Sequence, residues 1–172
     1  MRLKLLVLAI LALAVLSVAI AGIVAADDKS RFKTALTGYE ETPSVSSAGS
    51  GEFTATIDDE NQTIHYTLTF ANLNSNVLFA HVHFGQRGVA GGVAAFLCGG
   101  GTKPAPCVPG TTITGTITPA DVQGPTGQGI APGEWNELVA AIRAGVAYAN
   151  VHSTTQQGGE IRGQINDSDQ RN

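Results

Sequence analysis

The chain has 172 residues, 43% of them hydrophobic and only 14% charged, with 21 glycines and a formal net charge of −4. Its ten lysines and arginines are scattered rather than gathered into a stripe, so nucleic acid is not expected as a partner. Low charge and abundant glycine suit a small all-β domain rather than a helical one.

The N-terminus reads as a targeting segment. Arg2 and Lys4 precede an apolar run over residues 5–26, and Val24 and Ala26 are small enough for the −3 and −1 positions of a cleavage site before Asp27. Residues 1–26 are therefore expected to be a signal peptide. The alternative is an uncleaved membrane anchor, since the run reaches the ~20 residues a spanning helix needs. Either way the remainder is expected outside the cytoplasm: secreted, periplasmic or at the cell surface. Membrane contact is expected only through this segment, where it stays uncleaved. Without Arg2 and Lys4, 8 basic residues face 14 acidic ones, a net charge of −6.

The remainder fits one domain, residues 30–166, with a polar tail over 167–172. Residues 31–37 read as a strand and 38–51 as a long loop rich in turn formers. Phe53, Ala55 and Ile57 alternate on one face of the next strand. A polar turn over 58–62 joins it to residues 63–70, where Ile64, Tyr66, Leu68 and Phe70 face one way and His65, Thr67 and Thr69 the other. His65 thus falls on the solvated side. Paired acids, Glu40-Glu41 and Asp58-Asp59-Glu60, sit in turns and read as surface. After a turn at 72–76, residues 77–84 form a strand with Ala80, Val82 and Phe84 on one face and His81 and His83 on the other.

A glycine loop over 85–92 lacks the lysine and strand–helix frame of a phosphate loop. A short apolar strand, 93–97, runs into a loop bounded by Cys98 and Cys107. In an oxidising compartment this pair reads as a local disulfide; metal thiolates are the other reading, without the usual zinc spacing. Strand 111–118 follows. Residues 133–145 form the one good helix after the leader, with Trp135, Leu138, Val139 and Ile142 as its apolar stripe and Gly145 as its stop. It is expected to plug one end of a β core. Two strands, 146–151 and 160–165, close the domain, and residues 166–172 are expected to fray. The sum is an all-β fold, an antiparallel β-sandwich or Greek-key barrel with one short helix near the C-terminus.

These segments resemble the CHRD domain, a module of chordin that also occurs singly in prokaryotic secreted proteins. The resemblance rests on Thr34-Ala35-Leu36-Thr37-Gly38-Tyr39-Glu40-Glu41-Thr42-Pro43 with Gly49-Ser50-Gly51, Ile64-His65-Tyr66-Thr67-Leu68, Ala80-His81-Val82-His83-Phe84-Gly85 and Ile142-Arg143-Ala144-Gly145. It extends to Tyr148-Ala149-Asn150-Val151-His152-Ser153 and Gly158-Gly159-Glu160-Ile161-Arg162-Gly163-Gln164-Ile165. It implies an extracellular β domain. Chordin binds bone morphogenetic proteins, but no motif here carries that partner over, so an extracellular protein partner is expected only as a class.

The chain is also similar, over fewer features, to Cu/Zn superoxide dismutase: a His-x-His strand, a later Val-His at a strand end, and a glycine-arginine segment near the C-terminus. His81, His83 and His152 would stand at copper-ligand positions. A fourth copper ligand, a bridging histidine, a zinc cluster and a long-range disulfide, all parts of that family's pattern, lack counterparts here.

The functional question is whether His81, His83 and His152 meet. If the strands carrying them are neighbours, three imidazoles can hold copper or zinc with an open fourth position, as catalytic rather than structural sites do. Asn150, Glu160 and Arg162 are the expected surrounding partners. In the other reading the histidines form a polar network with those three residues and bind nothing, Glu160 favouring a protonated imidazole. No nucleophile elbow or acid pair accompanies them. The sequence therefore points first to a non-catalytic binding or structural module, and second to a copper or zinc protein with dismutase-like redox activity.

Overall fold

The computed structural model describes residues 30–167. The leader expected over residues 1–26 and the end of the polar tail lie outside them. Nine strands form one antiparallel sheet: β1 (Arg31–Thr37), β2 (Ser50–Asp58), β3 (Thr63–Ala71), β4 (Val77–Phe84), β5 (Gly92–Cys98), β6 (Ile113–Ile117), β7 (Ala147–Ser153), β8 (Ile161–Gln164) and β9 (Asn166–Asp167). The order is β5-β4-β7-β8-β1-β2-β3-β6, with β9 pairing β1. The sheet curls into a nearly closed barrel. Tyr66 Oη, on β3, donates to Leu97 O of β5 at 2.6 Å and so links strands near the sheet's two ends.

Alternation explains most of the interior. Phe53, Ala55 and Ile57 of β2 and Ile64, Tyr66, Leu68 and Phe70 of β3 all enter the core, as their period-2 spacing requires. The turn between the two strands is held by Asp58, which accepts from Asn61 N–H at 3.0 Å. The β4 residues Ala80 and Val82 and the β7 residues Ala147, Ala149 and Val151 line the same core.

Helix α1 (Trp135–Arg143) is shorter than its sequence signal, with Glu134 preceding it and Gly145 just beyond, at φ +70°. Trp135, Leu138, Val139 and Ile142 are buried in the barrel core. Arg143, at the helix end, pairs with Asp59 of the β2–β3 turn at 2.5 Å. The Cys98–Cys107 disulfide is formed and closes its short loop.

Two boundaries differ from expectation. Strand β7 runs two residues further, to Ser153, because β4 continues to pair with it as far as Val77. Asn166 and Asp167, in the stretch expected to fray, instead pair with Lys33 and Phe32.

Candidate metal centre

Strands β4, β7 and β8 lie side by side, and their outward faces build the site. The register sets three transverse rows. Phe79 lies opposite His152; His81 opposite Asn150, which lies opposite Arg162; and His83 opposite Tyr148, which lies opposite Gln164. Directly opposed residues on neighbouring strands have Cβ atoms ~4.5–5.5 Å apart. The topology thus brings the three predicted histidines into one cluster, with ring centroids 4.9, 5.2 and 5.7 Å apart.

An outward face is ordinarily wet, but this one is roofed. Residues 85–91 cross it from one side: Gly91 O takes a hydrogen bond from His83, and Gln86 O takes one from Arg162 at 3.1 Å. Residues 38–49 reach it from the other, where Thr42 Oγ1 accepts from Arg162 at 3.4 Å. An ion pair between Arg87 and Glu40 joins the two loops. His81, His83 and His152 are left only 4%, 7% and 5% exposed.

The hydrogen bonds decide which nitrogens are free. His83 Nδ1–H donates to Gly91 O and His152 Nδ1–H to Gln157 O, both at 3.0 Å. A carbonyl can only accept, so both rings carry their proton on Nδ1 and keep a free lone pair on Nε2. His81 Nδ1 lies 3.3 Å from His152 Nε2. The Nε2 atoms of His81 and His83 are buried without a partner. One nitrogen from each ring lies within 4.8 Å of the other two, and no cysteine, aspartate or glutamate joins this group among the described residues.

Burial drives all three imidazoles toward their neutral form. It pushes His81 down to about 3, with His152 and His83 adding repulsion. It pushes His83 down to about 4 against the Gly91 carbonyl, which favours the charged ring. His152 is lowered by the same cause, opposed by the Gln157 carbonyl. Aromatic rings complete the surroundings. Phe79 packs on His81 and His152 at 4.8 and 4.9 Å, and Phe96 meets His81 edge-on at 4.2 Å. Tyr148 stacks on His83 at 4.8 Å and carries the Arg162 guanidinium 3.4 Å from its ring centre.

A model of the CHRD domain family matches residues 32–165, which includes every strand and loop of this site. The chain belongs to the CHRD domain family. No curated protein and no solved structure matches it significantly.

The other residues singled out from the sequence fall around the CHRD site in different ways. Asn150 sits between His81 and Arg162, in the middle row. Glu160 bonds elsewhere: it accepts from Ser47 Oγ at 2.6 Å, from Asn74 N–H at 2.7 Å and from Ser153 Oγ. Burial alone would raise its carboxyl, but these three donors outweigh it and hold the pKa low. His65 is exposed and bonds to Thr116 Oγ1 at 2.9 Å, on the solvated face expected for it.

Glu41 was not legible as a site residue. Read as surface beside Glu40, it is only 7% exposed in the CHRD fold. Burial lifts its carboxyl to about 7 against the pull of Arg162 and the Asn150 amide. Glu41 Oε1 and Asn150 Oδ1 are both buried without a partner. Each lies within 2.7 Å of the point where a Cβ on Gly159 would stand, and Gly159 has φ +128°. The contact between the two residues is a long hydrogen bond, 3.5 Å, from the Asn150 amide N–H to Glu41 Oε2. Phe79 and Tyr148 did carry a signal, because alternation places both on the histidine face, where an aromatic ring implies a covered surface.

The variant Glu41→Gln replaces the buried carboxyl with a neutral amide of the same shape. In the folded state the carboxyl keeps its proton to about pH 7 rather than 4.5, so its burial destabilises the protein increasingly as the pH rises through that interval. The variant is expected to gain about 2 kcal/mol at pH 8 and nothing near pH 5. Urea unfolding at the two pH values checks this, and an equal gain at both would show that Glu41 is not protonated in the fold.

Proposed function

We propose that this CHRD domain is an extracytoplasmic metal-binding module in which His81, His83 and His152 hold one copper or zinc ion. The carrying observation is the convergence of three buried histidines, two of them with their tautomers set by Gly91 O and Gln157 O, with His83 Nε2 buried and unpartnered. Metal-ligating histidines characteristically donate their second nitrogen to a carbonyl or carboxylate in this way. An orphaned buried nitrogen costs about 1–3 kcal/mol, which an ion would offset. The 3.3 Å separation of His81 Nδ1 and His152 Nε2 matches the edge of a tetrahedron of ~2.0 Å zinc–nitrogen bonds.

Glu160 takes no part in a polar network of these histidines, because it is engaged by Ser47, Ser153 and Asn74. The disulfide supports an oxidising compartment. The reading assigns an ion and no turnover, so the domain remains a binding module.

The test is metal content by mass spectrometry on protein purified without an affinity tag from the extracytoplasmic fraction, beside a His81→Ala/His83→Ala variant. About one equivalent of copper or zinc is expected in the wild type and none in the variant. Wild-type protein that is empty and takes up neither ion at micromolar concentration would overturn the proposal.

A further inference from the structure

We infer that the three-histidine site is built for monovalent copper, in preference to divalent copper or zinc. This rests on the metal-binding reading above and goes beyond it by naming the ion and its charge.

The first argument is charge. The donors are three neutral imidazoles with no carboxylate among them. Both cysteines are committed to the disulfide, so no thiolate is available. Of the acids in the loops around the site, Glu160 is held by Ser47, Ser153 and Asn74, Glu40 pairs with Arg87, and Glu41 faces Asn150 and Arg162. The charge stacked toward the ligands is a cation: Arg162 lies on the Tyr148 ring, and Tyr148 lies parallel to His83 at an interplanar angle of 5°. Two groups cannot stack on one face of a phenol ring, so the order is guanidinium, phenol, imidazole. The cost of taking an ion out of water rises with the square of its charge. A divalent ion here would bear about four times the desolvation cost of a monovalent one, with no anionic ligand to repay it.

The second argument is coordination number. Zinc is almost always four-coordinate, and a three-histidine zinc site takes its fourth ligand from water or substrate. Here Phe79 packs on both His81 and His152, and Phe96 on His81, rings that carry no donor atom. With the histidines at most 7% exposed, water has little access. Monovalent copper has a filled d shell and is satisfied by two or three donors. Donor type alone would not separate these ions, since imidazole suits both zinc and copper. Charge and the apolar rings packed over the cluster do.

The deciding experiment is a competition titration of the full chain with each ion against a chelator of known affinity. Monovalent copper is supplied anaerobically with excess ascorbate, divalent copper and zinc without it, and bound divalent copper is read by electron paramagnetic resonance. Monovalent copper is expected to bind at least ~100-fold more tightly than zinc or divalent copper, and the His81→Ala/His83→Ala variant to lose that binding. Zinc or divalent copper binding as tightly as monovalent copper would overturn the inference while leaving the three-histidine site standing. Uptake of none of the three ions would overturn both. Equal monovalent-copper affinity in the variant would place the ion elsewhere and overturn both as well.

Discussion

Acidification from pH 7 to pH 4 is expected to cost the metal-free fold roughly 4 kcal/mol, because His81 and His83 stay neutral in it far below their usual range. An unfolded chain takes up protons on these rings as the pH falls through about 6.5. The folded chain does not until about 3 for His81 and about 4 for His83. Throughout that window the unfolded state binds more protons, so stability falls with falling pH. His152 adds to the same slope. Glu41 has the opposite sign: its folded pKa is raised to about 7, so it holds a proton in the fold that the unfolded chain has given up, and it returns part of the loss between pH 7 and 4.5. The histidines prevail because three of them share one buried cluster. Urea unfolding at pH 7, 5.5 and 4 in the presence of a chelator should show a steep decline for the wild type and a much flatter one for His81→Ala/His83→Ala. Parallel declines would mean the acid sensitivity lies elsewhere in the molecule.

Gly91→Ala is expected to destabilise the domain by about 3 kcal/mol, lowering the melting temperature by about 10 °C, and to abolish metal uptake in whatever folded protein remains. A Cβ on Gly91 would stand 1.8 Å from Phe84 O and 2.6 Å from Phe84 C, both backbone atoms that no rotamer change can move. The loop would have to lift from the sheet. Gly91 also donates its N–H to Tyr148 Oη at 3.0 Å and accepts from His83 Nδ1. Lifting it frees the Tyr148 hydroxyl and lets His83 change tautomer, so the damage reaches the ligands. Gly88→Ala is the control. Gly88 has φ +75° but nothing lies within 4 Å of the point a Cβ would occupy, so only backbone strain of about 1 kcal/mol is expected, with metal uptake retained. Equal effects of the two substitutions on metal uptake would show that the Gly91 contacts do not support the site.

Much of the barrel was legible because its strands obey a short-range rule. The alternation of Phe53, Ala55 and Ile57, and of Ile64, Tyr66, Leu68 and Phe70, is a property of neighbours in the chain, and the core uses all seven. The stripe of α1 was legible for the same reason at helical period. That His81 and His83 share one face follows from residue spacing of two, and so does the place of Tyr148, Asn150 and His152 on one face of β7. The CHRD resemblance was legible too, because its motifs recur in order along the chain.

Tertiary structure alone decided what those faces meet. The pairing that sets Phe79 opposite His152 and His81 opposite Asn150 joins strands about seventy residues apart, and no local pattern encodes that register. The roof is made by residues 38–49 and 85–91, loops without periodicity, so a face that alternation marks as outward became buried. The same roof separates Glu40 from its neighbour Glu41. One pairs with Arg87 at the surface, and the other is held beneath it with Asn150 and Arg162. Adjacent identical side chains carry no sequence distinction between those fates. Burial distinguishes them, and burial is a property of the assembled fold, in which segments distant along the chain remove water from a common space.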